Sequence, residues 1–202
     1  MSLLARIIAD AGYNVFAFDA PAHSSVTNTP SKAISNMFEF GRSISAVANH
    51  LGDLHAVVAH SLGAIATLFT LTGFMKLKDY QFNSKKVVLI SSPFNVDEII
   101  LSFSKANQLT ENEKNTLQLG LEKDFEFKVS DYSIGNAIKT FSNDLMVVHD
   151  EDDNEVLISN AYNIEKNFPK TVLYTTKGLG HKKILFNRET IKIISKFIAG
   201  SY

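Results

Sequence analysis

The sequence AVVAHSLGAIATLFTLTGF, residues 56–74, decides between two very different folds. It is nearly all apolar and about as long as the roughly 20 residues that a membrane-spanning helix requires. Three residues, His60, Ser61 and Gly63, interrupt it. An apolar, β-branched run precedes this point, and a pattern typical of a buried helix follows it. We therefore interpret the stretch as a strand, a tight turn at Ser61 and a helix, and we expect no membrane span.

The composition favours one globular domain, residues 1–202, that acts on a small molecule. The chain has 202 residues, of which 45% are hydrophobic, and a formal net charge of −1. This charge gives no reason to expect nucleic acid or an anionic membrane as a partner. The chain has no cysteine, which excludes disulfides and thiolate sites, and we predict neither a metal nor a cofactor. Because Arg6 and Asp10 interrupt the apolar amino terminus, we predict no signal peptide and a cytoplasmic protein.

Short apolar runs alternate along the chain with helical patterns, as is typical of a parallel sheet covered by helices. Five runs are continuous rather than alternating, as expected for strands buried on both faces: 13–19, 55–60, 86–91, 144–149 and 171–176. Helical patterns occupy residues 2–11, 34–50, 62–75, 155–167 and 188–199. The sequence thus predicts an α/β fold with a mostly parallel sheet of about five strands and helices on both faces.

Residues 94–143 lack a convincing strand and separate the third and fourth runs. Thr110 followed by Glu113 predicts a capping box, and a second helix is expected after Ser130 or Asp131. An insertion at this place favours a helical cap over a site. Its apolar residues either line an acyl pocket or make core contacts: Phe94, Ile99, Ile100, Phe103, Leu117, Leu121, Phe125 and Phe127.

The turn at Ser61 has features of a nucleophile turn. A serine between a strand and a helix needs small neighbours two residues away on each side, and Ala59 and Gly63 meet this requirement. The hydroxyl would project at the carboxyl end of the sheet, and the Leu62 amide would face a developing oxyanion. A short motif of this kind is weak by itself, so its context must decide.

The context supplies a base and an acid. HDEDDNEV (149–156), the acid loop, follows the fourth run, and KGLGHKKIL (177–185), the histidine loop, follows the fifth. Since the carboxyl ends of parallel strands share one edge, Ser61, the acidic loop and His181 are expected to converge there. A serine needs such a histidine base, oriented in turn by an acid.

At this point the chain resembles an α/β-hydrolase. The resemblance rests on AGYNVFAFDAPAHSS (11–25), AHSLGA (59–64), the acid loop and the histidine loop, in the chain order Ser, Asp, His. It implies that Asp153 is the acid, because related hydrolases place the acid four residues after a strand-ending histidine and three before a valine. Asp152 is the second candidate.

The remaining acidic and histidine residues have other interpretations. Asp150 and Asp152 are expected to be solvated turn residues, His60 to be structural, and His23 to lie in a packed corner. The acid loop also resembles a calcium-binding EF-hand frame, but Glu155 replaces its glycine and position twelve is Ala161 instead of glutamate. We therefore retain Ser61, His181 and Asp153 as catalytic candidates.

The resemblance also has a gap. Related hydrolases have three strands before the run at 13–19, and the loop after the third carries a second oxyanion donor. Either the sequence is a truncated form, or run 13–19 pairs directly with run 55–60 in a smaller sheet. Loss of one donor typically costs about 10²–10³ in rate. A shortened sheet also exposes a strand edge, which favours a homodimer.

Three functions follow as hypotheses. The first is a serine hydrolase that cleaves an ester or related acyl compound through an acyl-enzyme. The second is a non-catalytic or truncated scaffold with a binding role. The third keeps the triad but uses it for acyl transfer, a lyase step or peroxide chemistry, since related folds support many reactions.

Overall fold

A computed structural model of the protein describes residues 2–22 and 36–202. Within these residues the sheet has four strands: β1 (Leu54–His60), β2 (Ser84–Ile90), β3 (Asp144–Asp150) and β4 (Val172–Thr176). All neighbouring strands are parallel, in the order β1-β2-β3-β4. The carboxyl ends of all four strands therefore lie along one edge.

The helices connect the strands in the way that a parallel sheet requires. The α-helices are α1 (Ser2–Asp10), α2 (Met37–Leu51), α3 (Leu62–Leu71), α4 (Val96–Ala106), α5 (Glu111–Phe125), α6 (Ile134–Ala137), α7 (Ser159–Asn167), α8 (Gly180–Lys183) and α9 (Arg188–Ala199). Short 3-10 helices occupy Met75–Tyr80, Val129–Asp131, Ile138–Thr140 and Ile184–Phe186.

The two faces of the sheet bury separate apolar clusters, because successive side chains of a strand point to opposite faces. One cluster combines Val87 and Leu89 of β2 with α2, α3 and α7. The other combines Val88 and Ile90 with α1 and α9. The prediction of a parallel sheet with helices on both faces is thus confirmed.

The prediction of a fifth strand at residues 13–19 is wrong. Residues 13–20 form no strand, and β1 pairs only with β2 among the described residues. The apolar side chains of the run are exposed: Val15 by 37%, Phe16 by 65% and Phe18 by 46%. Direct pairing of this run with residues 55–60, one of the two outcomes considered above, is likewise not found. An apolar run has strand propensity, but it becomes a strand only where a partner edge is within hydrogen-bonding reach.

The opening stretch divides as expected, with β1 ending at His60 and α3 beginning at Leu62. Helix α3 is 10 residues long, and its residues from Ala64 to Thr70 are all buried. In the part of the chain that the structure describes, no helix has both the length and the apolar character needed to cross a bilayer.

Residues 94–143 are helical, as predicted. Thr110 and Glu113 form the capping box at the start of α5. Ser133, rather than Ser130 or Asp131, caps the next helix, because its hydroxyl accepts the Asn136 amide. Most of the apolar residues proposed for an acyl pocket pack on the cluster around α3: Phe94, Ile99, Ile100, Leu117, Leu121 and Phe127. Phe103 is 51% exposed, and the side chain of Phe125 lies outside the described set.

Candidate active site

Ser61 occupies a sharp turn between β1 and α3. Its backbone has φ 54° and ψ −127°, in the left-handed half of conformational space that residues other than glycine rarely adopt. The Ser61 amide donates to the Ile90 carbonyl at 3.0 Å, which fixes the turn against the end of β2. Such a constrained backbone conformation is often found where a side chain must be held in one direction for function.

The Ser61 hydroxyl, the His181 imidazole and the Asp153 carboxylate form one hydrogen-bonded chain. Ser61 Oγ lies 3.0 Å from His181 Nε2, and His181 Nδ1 lies 2.8 Å from Asp153 Oδ2. An ionised carboxylate can only accept hydrogen bonds, so Nδ1 carries the imidazole proton. Nε2 is then free to accept the proton of the serine hydroxyl. The structure thus brings together the three residues that the sequence analysis selected.

Asp153 is held in place for this interaction. Only 2% of its surface is exposed, and its Oδ1 accepts the amides of Glu155 and Val156, both at 2.9 Å. Burial by itself raises the pKa of Asp153, but the hydrogen bonds from His181 and Val156 outweigh it and hold the pKa below its ordinary value. The carboxylate is therefore ionised at neutral pH.

The other two acidic candidates have different positions. Asp152 is exposed, as expected. The prediction that Asp150 is a solvated turn residue is wrong: it is the last residue of β3 and is fully buried. Hydrogen bonds from Thr176 and from the amides of Gly180, Leu179 and Asp152 outweigh the opposing effect of burial and lower its pKa.

His60 contacts both the backbone carbonyl and the ring of His181. Its Nε2–H donates to the His181 carbonyl at 2.9 Å, and the two rings lie 4.6 Å apart. Burial, followed by repulsion from His181, lowers the pKa of His60 to about 4, so its ring is neutral at pH 7. This geometry agrees with the structural role expected for His60. His23 lies outside the described residues.

His149 lies behind Asp153. Its Nε2–H donates to the Val156 carbonyl at 2.8 Å and lies 3.6 Å from Asp153 Oδ2. Burial lowers the pKa of His149, so its ring is neutral at pH 7.

The start of α3 supplies the candidate oxyanion donor. Leu62 is the first residue of the helix, where amides have no partner within the helix and the helix dipole favours negative charge. The reason given above for a small residue at Gly63 finds no support in the described atoms. A Cβ added there would meet none of them within 4 Å.

Glu155 forms part of the rim of the site. Its carboxylate lies 4.0 Å from His181 Nε2 and pairs with Lys182 at 3.2 Å. The Glu155 carbonyl also accepts the Ser102 hydroxyl at 2.8 Å, which connects α4 to the acid loop.

Sequence reasoning missed the contacts that Asp150 and His60 make with the histidine loop. Asp150 ends the buried strand β3 and His60 ends β1, both at the edge of the sheet that carries Ser61, and this position is the signal that a sequence reader can use. Polar residues there face other loops of the same edge rather than bulk solvent.

Solved structures of known proteins share this architecture. An esterase of Pyrococcus furiosus is 18% identical, with a TM-score of 0.70 over 99% of this chain and 76% of that chain. MGS-MChE2, an α/β-hydrolase enzyme from a lagoon-sediment metagenome, is 15% identical, with a TM-score of 0.56 over 87% of this chain and 74% of that one. The chain has the α/β-hydrolase fold.

The same fold is found in a monoacylglycerol lipase of Paleococcus ferrophilus. It is 13% identical, with a TM-score of 0.66 over 99% of this chain and 88% of that chain. No family model matches the sequence, and no curated protein matches it either. At these identities the likeness concerns the α/β-hydrolase fold alone, and the resemblance stated from the sequence is confirmed at that level.

Proposed function

We propose that the protein is a serine hydrolase that cleaves an ester or related acyl bond of a small molecule. The observation that carries the proposal is the hydrogen-bonded chain from Ser61 Oγ through His181 to Asp153, with distances of 3.0 and 2.8 Å. The esterase and lipase neighbours of the same fold favour an ester as the substrate.

The proposed reaction proceeds in two halves. Ser61 Oγ attacks the acyl carbon while His181 Nε2 accepts its proton, and the oxyanion of the tetrahedral intermediate faces the Leu62 amide. His181 then donates the proton to the leaving alcohol, whose bond to the acyl carbon breaks. Water next attacks the acyl carbon of the acyl-enzyme while His181 Nε2 accepts its proton. The bond between the acyl carbon and Ser61 Oγ then breaks as His181 returns the proton to Oγ, and the carboxylic acid leaves. Asp153 stays ionised and stabilises the imidazolium in both halves.

We also propose that residues 94–143 act as a cap beside the acyl-binding side of this site. The support is the hydrogen bond from Ser102 in α4 to the Glu155 carbonyl, which places one helix of the segment against the acid loop. Phe103 in the same helix is half-exposed and would meet an apolar acyl chain.

The homodimer and the cytoplasmic location stay predictions. The surface for self-association would be the outer edge of β1. A groove of about 430 Å³ separates this edge from residues 13–18. Among residues 2–22 and 36–202, no strand pairs with this edge, and a free strand edge beside exposed apolar side chains favours association.

A fluorophosphonate probe tests the hydrolase function. We expect it to label Ser61 in the wild-type protein and to leave Ser61→Ala unlabelled, as read by intact mass and peptide mapping. Hydrolysis of p-nitrophenyl butyrate should disappear in the same variant. A folded wild-type protein that is neither labelled nor active would refute the proposal and favour the non-catalytic scaffold. Labelling together with acyl transfer to an added alcohol, in preference to hydrolysis, would favour the acyltransferase.

A further inference from the structure

The loop that carries the histidine is held by a buried carboxylate outside the Ser61–His181–Asp153 chain. Residues 177–181 form the part of the histidine loop that leads up to and includes His181. Asp150, at the end of β3, is 0% exposed and faces this loop. Its Oδ1 accepts the amides of Gly180 at 2.9 Å and Asp152 at 3.0 Å, and its Oδ2 accepts the Thr176 hydroxyl at 2.7 Å and the Leu179 amide at 3.0 Å.

The histidine loop needs such an acceptor because of its backbone conformation. Gly178 and Gly180 have φ values of 82° and 61°, which turn successive amides toward the acid loop. The first of these amides, at Gly178, donates to Asp152 Oδ2 at 2.9 Å. The next two donate to Asp150. An ionised carboxylate offers about four acceptor positions, and all four donors to Asp150 occupy them.

We propose that Asp150 is a positioning residue for the reaction: it fixes the histidine loop so that the His181 imidazole spans Ser61 and Asp153. This inference rests on the proposed function. The Gly180 amide that Asp150 binds immediately precedes His181, so a shift there moves the imidazole directly. A displacement of about 1 Å can reduce catalysis about 10²-fold.

Asparagine cannot replace Asp150 without loss. If its NH₂ group occupies the place of Oδ2, it meets the Leu179 N–H; if it occupies the place of Oδ1, it meets the N–H groups of Gly180 and Asp152. In either orientation at least one amide of the histidine loop loses its acceptor. An unsatisfied buried amide is costly, so the loop is expected to shift.

The test compares Asp150→Asn with Glu151→Gln in the full chain. Glu151 is the adjacent carboxylate, but it is exposed and pairs only loosely with Lys177, at 3.8 Å. We expect Asp150→Asn to lower kcat for p-nitrophenyl butyrate about 10–100-fold and to leave KM within about twofold, because the substrate-binding surface is unchanged. Glu151→Gln should keep wild-type kcat.

A second readout separates positioning from general stability. The proton shared by His181 Nδ1 and Asp153 should give a downfield NMR signal in the wild-type protein. We expect this signal to weaken or shift in folded Asp150→Asn and to stay unchanged in Glu151→Gln. A folded Asp150→Asn with wild-type kcat and an unchanged signal would overturn the inference.

If Asp150→Asn does not fold, Thr176→Val replaces it. This nearly isosteric change removes one of the four donors to Asp150, and we expect about a threefold loss of kcat at constant KM. Wild-type kcat in this variant would overturn the inference. The proposed function fails separately, through absence of Ser61 labelling in the wild-type protein.

Discussion

The change Asp153→Asn tests the proposed chemistry because the structure dictates how the new amide must orient. Oδ1 of Asp153 accepts two backbone amides, at 2.9 Å each, while Oδ2 faces His181 Nδ1. The asparagine oxygen must take the place of Oδ1, and its NH₂ group then points at His181 Nδ1. Nδ1 becomes an acceptor, the imidazole proton moves to Nε2, and Nε2 can no longer accept the proton of Ser61.

The magnitude follows from this change of tautomer. Reversing the imidazole in a serine–histidine–aspartate site costs about 10⁴ in kcat, which corresponds to about 5 kcal/mol of transition-state stabilisation. The fold should survive, since the asparagine oxygen still accepts the two backbone amides. KM should change little, because Asp153 is buried behind the imidazole and does not face the substrate.

Steady-state hydrolysis of p-nitrophenyl butyrate measures the effect, with thermal unfolding as the check on folding. Asp152→Asn is the matched control, because it lies one residue away and was the second candidate for the acid. We expect it to lose less than about tenfold, since an asparagine oxygen can still accept the Gly178 amide. A folded Asp153→Asn within about tenfold of wild type, or a larger loss in Asp152→Asn, would refute the reasoning.

Three further outcomes are expected. The His60 ring should titrate with a midpoint near 4 in NMR spectra; a midpoint near 6.5 would contradict its burial. The His60 ring of the unfolded chain takes up a proton near pH 6.5, whereas the folded ring does so only near pH 4. The contribution of His60 to the free energy of unfolding is therefore complete above about pH 6.5 and is lost as the pH falls toward 4. Gly63→Ala should raise the free energy of unfolding by about 0.5–1 kcal/mol in a urea titration, because alanine favours the helix and its Cβ meets no described atom. Gly41→Ala should lower it in the same titration, since a Cβ would lie 2.7 Å from Thr70 Oγ1 and 2.8 Å from Leu77 Cδ1; a stabilised Gly41→Ala would contradict the packing of α2 on α3.

The elements that the sequence predicts correctly are those whose signal is local. The four runs that became strands are continuous and β-branched, and each appears close to its predicted bounds. The capping box at Thr110 is a matter of two residues three apart, so it too is visible in the sequence. Ser133 was missed as the cap of α6 because several polar residues precede that helix, and only the backbone shows which of them accepts an amide.

The prediction of a fifth strand is wrong because a strand needs a partner strand, which is not determined by the local sequence. The run at 13–19 has the composition of a strand, and its Tyr13 ring stacks on the ring of His55 in β1, with 5.3 Å between the ring centroids. Its backbone nevertheless does not reach the hydrogen-bonding edge of β1, and a groove lies between the two. The composition of a segment indicates whether it can form a strand beside a partner edge, but it does not show whether such an edge lies within hydrogen-bonding distance.

The two buried carboxylates of the acid loop show the same limit at the scale of single atoms. Asp150 and Asp153 are three residues apart, both are buried, and both have lowered pKa values. Their donors differ: Asp153 receives a side-chain N–H whose proton position can change, whereas Asp150 receives backbone amides and one hydroxyl. Loss of charge at Asp153 therefore changes which imidazole nitrogen is protonated, and loss of charge at Asp150 changes where the imidazole lies. The sequence shows only that acidic residues follow a strand. Which role Asp150 and Asp153 each take depends on the hydrogen-bond donors that the neighbouring loop presents to them.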